Sequence, residues 1–179
     1  KLPRARVASF GAPFTFTGMV FFGPFFVTVN RHKEKRYGCM FNCLTVRAIH
    51  IEVAHTLTTS SCILAIRNFM VRRGIPHEFY SDNGTNFVGA ERELREKWNF
   101  NPPASLHMGG AWERLVRSVK TILYQIMPSR SPSDELLLSM LIEVENVVNS
   151  RPLSYVPVDE DTAEALNPNH ILVGSSSGL

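Results

Sequence analysis

The chain has 179 residues, 44% of them hydrophobic and 20% charged, with a formal net charge of +3. That composition suits a single domain with a sizeable core and excludes a disordered polymer. A basic excess this small marks a phosphate-binding face only where the basic residues cluster. The apolar stretch from Met19 to Val29 is broken by Gly23-Pro24 and is too short to cross a bilayer, so no membrane span is expected. Cys39, Cys43 and Cys62 form no CxxC and have no histidine at zinc-ligand spacing, so they read as buried hydrophobes of a reducing, intracellular compartment. A chain that starts at Lys1 reads as one domain of a larger product.

In chain order, Lys1 to Arg6 is basic and extended. Thr15 to Phe22 is β-branched and aromatic and predicts a strand, which Gly23-Pro24 breaks and Phe25 to Asn30 resumes. Tyr37 to Thr45 is nearly continuous apolar sequence, as in a strand buried on both faces. Ala48 to Val53 alternates and predicts a half-exposed strand. A helix capped by Thr58, Thr59 or Ser60 follows, with Ile63, Ile66, Met70 and Val71 on its inner face, and stops at Gly74-Ile75-Pro76. His77 to Ser81 is a short strand, Gly89 to Lys97 a helix, and Trp98 to Phe100 a brief edge strand. Gly110 to Met127 is a helix with Leu115, Val119 and Leu123 on one stripe, and Ser133 caps another that runs to about Asn149. The Pro- and acid-rich tail from Tyr155 is expected to wrap the surface. Together these elements predict an α/β fold: a mixed five-stranded sheet, three strands antiparallel and two parallel, flanked by helices. Residues 1–154 form the core and 155–179 an extension or linker.

Two motifs carry the chemistry. Tyr80-Ser81-Asp82-Asn83-Gly84-Thr85-Asn86-Phe87 leaves a buried strand, and His107-Met108-Gly109-Gly110-Ala111-Trp112-Glu113 opens a helix. An Asp at a strand end and a Glu on the first turn of a later helix can converge on one divalent-metal site. Asp-Asn-Gly is also a common turn, and a first-turn Glu also answers the helix dipole. Arg114, Arg117 and Lys120 recur every three residues after Glu113 and are placed either to touch phosphates or to form a solvated face. Trp112 reads as a core residue or a base-stacking one. Arg72-Arg73 and the Arg31 to Arg36 cluster read as surface charge.

These motifs, with Arg36 to Thr45, Arg47 to Glu52 and Asn149-Ser150-Arg151-Pro152-Leu153, resemble the integrase catalytic core of BEL/Pao-type retrotransposons, over nearly the whole chain. The resemblance implies an RNase H-like fold of the retroviral integrase superfamily. It implies DNA integration by polynucleotidyl transfer, a DDE set of three acids holding two Mg²⁺ (or Mn²⁺) ions, DNA as partner, a homodimer or higher oligomer, and a nuclear location. Asp82 and Glu113 match two of the acids. Asn83 and Asn86 would order the metal loop or contact phosphate, and His107 with the paired glycines would form a mobile loop approaching the DNA end. The family's first acid falls on Val20, in Gly18-Met19-Val20-Phe21-Phe22-Gly23-Pro24.

No Asp or Glu precedes Glu34. Valine offers no oxygen to a cation that takes oxygen ligands, so catalysis is expected to be severely reduced or absent. Glu52, on the third strand, is too far from the sheet centre to substitute. The segment between Asp82 and Glu113 is shorter than in relatives of this kind, and Leu106 stands where they tend to carry Pro. Three readings remain open: a decayed or domesticated integrase core that keeps DNA binding, an active integrase whose Val20 is a misread acid, and a non-catalytic protein-interaction scaffold.

Overall fold

The computed structural model describes residues 11–100, 106–153 and 165–175, with the backbone alone described for 106–111. Its strands are β1 (Phe16–Val29), β2 (His32–Cys43), β3 (Ile49–Ala54), β4 (Glu78–Ser81) and β5 (Trp98–Phe100). Its helices are α1 (Thr59–Arg73), α2 (Thr85–Leu94), α3 (Leu106–Ile126), α4 (Asp134–Asn149) and α5 (Pro168–Val173). The five strands form one sheet in the order β3-β2-β1-β4-β5. β1, β2 and β3 pair antiparallel, while β4 lies parallel to β1 and β5 parallel to β4. This is the mixed sheet that the sequence predicts.

Alternation along the strands sends side chains into two separate cores. On one face Val27, Met40, Ile49 and Ile51 meet Trp112, Leu115, Val119 and Leu123 of α3 and Leu137, Leu141, Val144 and Val148 of α4. On the other, Met19, Cys39, Phe41, Cys43 and Phe79 meet Cys62, Ile66 and Phe69 of α1 and Phe87 and Ala90 of α2. All three cysteines are buried thiols. Phe41 and Phe69 stack with ring centroids 4.2 Å apart. Each large apolar side chain removed from water in this way contributes about 1.5–3 kcal/mol.

Several sequence expectations need correction. β1 is a single strand that passes through Gly23-Pro24 with a register shift between Phe22 and Phe25. α2 begins at Thr85, because the chain turns into the helix directly after Gly84. α3 begins at Leu106, so His107 and the paired glycines lie within a helix and not in a loop ahead of it. On α1, Thr58 is the cap and Phe69 is buried, whereas Val71 is 88% exposed. α5 was not foreseen: Asn167 caps it with Pro168 in its first turn, and Asn169 donates to Asn146 Oδ1 and Ser150 Oγ, both at 2.9 Å. The basic, extended segment Lys1 to Arg6 and the first part of the tail, 155–164, lie outside the described residues.

β3 is not half-exposed. His50 and Glu52 point at α1 and are buried, 3% and 4% exposed. His50 Nε2 lies 2.7 Å from Glu52 Oε1, and His50 Nδ1 lies 3.3 Å from Glu145 Oε1. Arg73 joins Glu145 at 2.8 Å and Arg72 joins Glu52 at 3.2 Å. Arg72 and Arg73 are therefore parts of an ionic network and not free surface charge. The same holds for Arg36, which is buried and bound to Asp134 through Nε at 2.7 Å and Nη2 at 3.0 Å.

Candidate functional site

The candidate site is built where β1, β4 and α3 meet. Gly18 on β1 stands opposite Tyr80 on β4. Carried two residues further, that register brings Val20 level with Asp82, the first residue beyond β4, on strands about 4.8 Å apart. Gly18, Val20 and Tyr80 face the layer that α3 covers, and Val20 and Tyr80 pack against the core containing Trp112 and Leu115. A Cβ on Gly18 would lie 3.0 Å from the Trp112 ring, so the absence of a side chain there lets the helix rest on the strand. Trp112 is thereby a core residue, 7% exposed. Glu113 follows it in the chain and is solvent-exposed.

Asp82 is held by its own loop. Its Oδ1 accepts the Gly84 N–H at 2.9 Å, and the position a Gly84 Cβ would take lies 2.7 Å from Asn86 Oδ1 and 3.0 Å from Asp82 Oδ1. Asp82 and Asn86 thus flank Gly84, while Asn83 is exposed. Arg114 and Arg117 are exposed and Lys120 half-buried along α3, and none of the three is paired with an acid among the described residues. The His107 side chain lies outside the described residues.

Sequence reasoning missed a polar cluster on the same face of β4. Glu78 accepts from Tyr80 Oη at 2.6 Å and Asn99 Nδ2 at 3.0 Å, and is paired with Lys97. Lys97 and then Tyr80 hold the Glu78 carboxyl below its usual range, while burial and then Glu78 push the Tyr80 phenol up. The alternation Glu78-x-Tyr80-x-Asp82 is the signal that could have found it. Glu78 stands about 13 Å down the strand from Asp82 and is committed to Lys97, so it is not grouped with Asp82. Glu52 is excluded on stronger grounds. It pairs with Cys39, which pairs with Phe21, so Glu52 belongs to the face opposite Val20.

Among the described residues no three His, Cys, Asp or Glu side chains are grouped to hold a metal ion. Val20, level with Asp82 on the neighbouring strand, presents an isopropyl group and so offers no oxygen to a divalent cation.

Comparison with known proteins fixes the architecture. No family model and no curated protein matches the chain. Among solved structures, the bovine immunodeficiency virus (BIV) integrase catalytic core is 15% identical with a TM-score of 0.59, over 89% of this chain and 93% of that one. The HTLV-2 integrase catalytic core, solved in a trimeric form with magnesium, is 14% identical with a TM-score of 0.55, over 80% and 90%. A chain of the simian T-cell lymphotropic virus intasome in complex with PP2A regulatory subunit B56 gamma is 15% identical with a TM-score of 0.61, over 93% of this chain. The present chain spans 63% of that chain's length. The fold is the RNase H-like fold of retroviral integrase catalytic cores.

Proposed function

We propose that the chain is the integrase core of a BEL/Pao-type retrotransposon, or a descendant of one, in which DNA strand transfer is severely impaired because Val20 stands where the first acid belongs. The observation that carries this reading is the register: Val20 is level with Asp82 on the face that α3 covers. Asp82 and Glu113 are the two retained metal acids, with Mg²⁺ or Mn²⁺ as the ion they would bind. DNA is the partner, met by Asn83, Asn86, His107 and the row Arg114, Arg117 and Lys120, which makes no ion pair with an acid among the described residues. The working location is the nucleus, and residues 1–154 are the core to which 155–179 is appended.

A second reading, a non-catalytic interaction scaffold or homo-oligomer, draws support from α4. Leu136, Leu138, Ile142 and Val147 are 41–54% exposed there, more apolar surface than one helix needs to leave in water.

The test is divalent-metal-dependent strand transfer on a branched DNA substrate. It compares the native chain, Val20→Asp, Glu113→Gln, and Val20→Asp with Glu113→Gln. The reading expects a silent native chain, an active Val20→Asp and a silent double variant. A native chain that cuts DNA and is abolished by Glu113→Gln overturns the assignment of Val20. Four silent, folded proteins that self-associate and do not bind DNA favour the scaffold.

A further inference from the structure

The Asp82 loop is gripped from beneath by a residue of β5. The Trp98 indole Nε1–H donates to Ser81 Oγ at 2.9 Å, and the Ser81 hydroxyl donates to the Asp82 carbonyl at 2.8 Å. The direction of this chain is unambiguous: indole N–H only donates, so Ser81 accepts from it and spends its single proton on Asp82. Ser81 is fully buried, so bulk water does not compete for either partner. The same indole ring packs on Phe87, at a centroid distance of 6.1 Å. Phe87 lies in the first turn of α2, the helix that opens after Gly84, whose N–H holds Asp82 Oδ1. Trp98 therefore touches the loop at both ends, through Ser81 before Asp82 and through Phe87 after it.

Trp98 is itself fixed. Phe79 and Trp98 are partners in the β4–β5 register, their rings 5.1 Å apart. The preceding residue, Lys97, accepts the Phe79 N–H on its carbonyl at 2.9 Å and pairs with Glu78. A three-residue edge strand has little else to hold it.

We infer that Trp98 is a positioning residue for Asp82, acting through Ser81. The inference rests on the proposed reading of Asp82 as a site acid, and it adds what orients that acid. A carboxylate on a loop serves a metal only if its support locks it to within a fraction of an ångström, and here the lock is a donor on the edge strand. A Trp that served packing alone would be replaceable by another aromatic ring.

The test uses the full chain, with Trp98→Phe, Ser81→Ala and the double variant, and reads amide hydrogen exchange together with urea unfolding. Trp98→Phe keeps a ring and removes the donor. The expected result is about tenfold faster exchange at the Gly84 amide in each single variant, the factor that one ordinary hydrogen bond represents. The double variant should exchange no faster than either single one, because the two groups form one chain. Exchange of the Met40 and Ile51 amides should stay unchanged. An unaltered Gly84 amide, or acceleration spread evenly over the sheet, overturns the positioning role. In the Val20→Asp background, Mn²⁺ titration followed by electron paramagnetic resonance should show each variant weakening the ion about fivefold or more, in line with a lost hydrogen bond to a supporting group. Should Val20→Asp bind no Mn²⁺, the metal reading of Asp82 fails, while the exchange data still decide the role of Trp98.

Discussion

Asn149, the last residue of α4, hydrogen-bonds both backbone groups of Ile49 on β3: its Oδ1 accepts the Ile49 N–H at 2.8 Å and its Nδ2 donates to the Ile49 carbonyl at 2.9 Å. Four residues earlier on the same helix face, Glu145 Oε2 accepts the Ile51 N–H at 2.8 Å. β3 is an edge of the sheet, and two side chains from one helix stand in for the strand it lacks. Unpaired edges recruit other chains, so this cover has a protective as well as a stabilising part.

Asn149→Leu leaves a buried N–H and a buried carbonyl without partners. The expected cost is about 2–4 kcal/mol, measured by urea unfolding, with faster aggregation at raised concentration. Asn149→Asp keeps an acceptor for the Ile49 N–H but sets a buried carboxylate against the Ile49 carbonyl, so its cost should fall as pH is lowered and the acid takes a proton.

The His50 network makes stability depend on pH in two directions. Burial opposes charge on His50, but Glu145 and Glu52 outweigh it and raise the pKa from 6.5. That contribution is complete below about 6.5 and is lost as pH rises through the higher folded value. Glu145 is penalised by burial, yet His50, the Ile51 N–H and Arg73 bring its pKa below 4.5. Its contribution is complete above about 4.5 and is lost as pH falls through the lower folded value. Unfolding free energy should therefore be greatest between about pH 4.5 and 6.5 as far as this network is concerned. His50→Gln should flatten the alkaline side of the profile, and a native profile with no fall above pH 6.5 would contradict the arrangement.

Arg36 and Asp134 join β2 to the first turn of α4 through a two-pronged contact, and the Arg36 side chain is only 6% exposed. Asp134→Ala removes the partner and leaves a buried guanidinium with the exposed Glu34 as its remaining acid. The expected cost is about 3 kcal/mol. Arg36→Met, which removes the buried charge with its stem replaced, should cost less. Thermal unfolding of the two variants side by side checks the order.

The α3 row can be counted with salt. If Arg114 and Arg117 each neutralise one phosphate, replacing either by Gln lowers the slope of log K against log salt by about 0.9 on duplex DNA. Binding measured by fluorescence anisotropy across a salt series should show that step for each variant, alike for unrelated DNA sequences. An unchanged slope assigns the row to solvated surface.

What the sequence disclosed was whatever local pattern encodes. The buried run through β2, the stripe Leu115, Val119 and Leu123, and the Asp82 loop after a short strand are all periodic or motif-borne, and the structure places each as expected. Ionic partners were not legible, because Arg36 and Asp134, or Arg73 and Glu145, are far apart in sequence and a charge taken alone resembles surface. The alternation of β3 was legible but its environment was not: polar residues at period two suggest water, whereas α1 supplies Asn68, Arg72 and Arg73 instead. The resemblance implied a mobile loop at His107 and the paired glycines, and α3 nevertheless includes them. The Asn167-Pro168 start of α5 is a cap signal in the sequence, set within a Pro- and acid-rich tail that otherwise lacks helical periodicity. Which residue orients Asp82 was hidden, since the Trp98 to Ser81 contact depends on strand register alone.

Valine and aspartate are close in size, and one base in a codon separates them. Val20 is half-buried at the rim of the α3 core, while Gly18, Trp112 and the two cores carry the packing around it. The information for shape and the information for chemistry are therefore written at different positions of this chain. On the proposed reading, a single mutational step at Val20 removes the second and leaves the first intact.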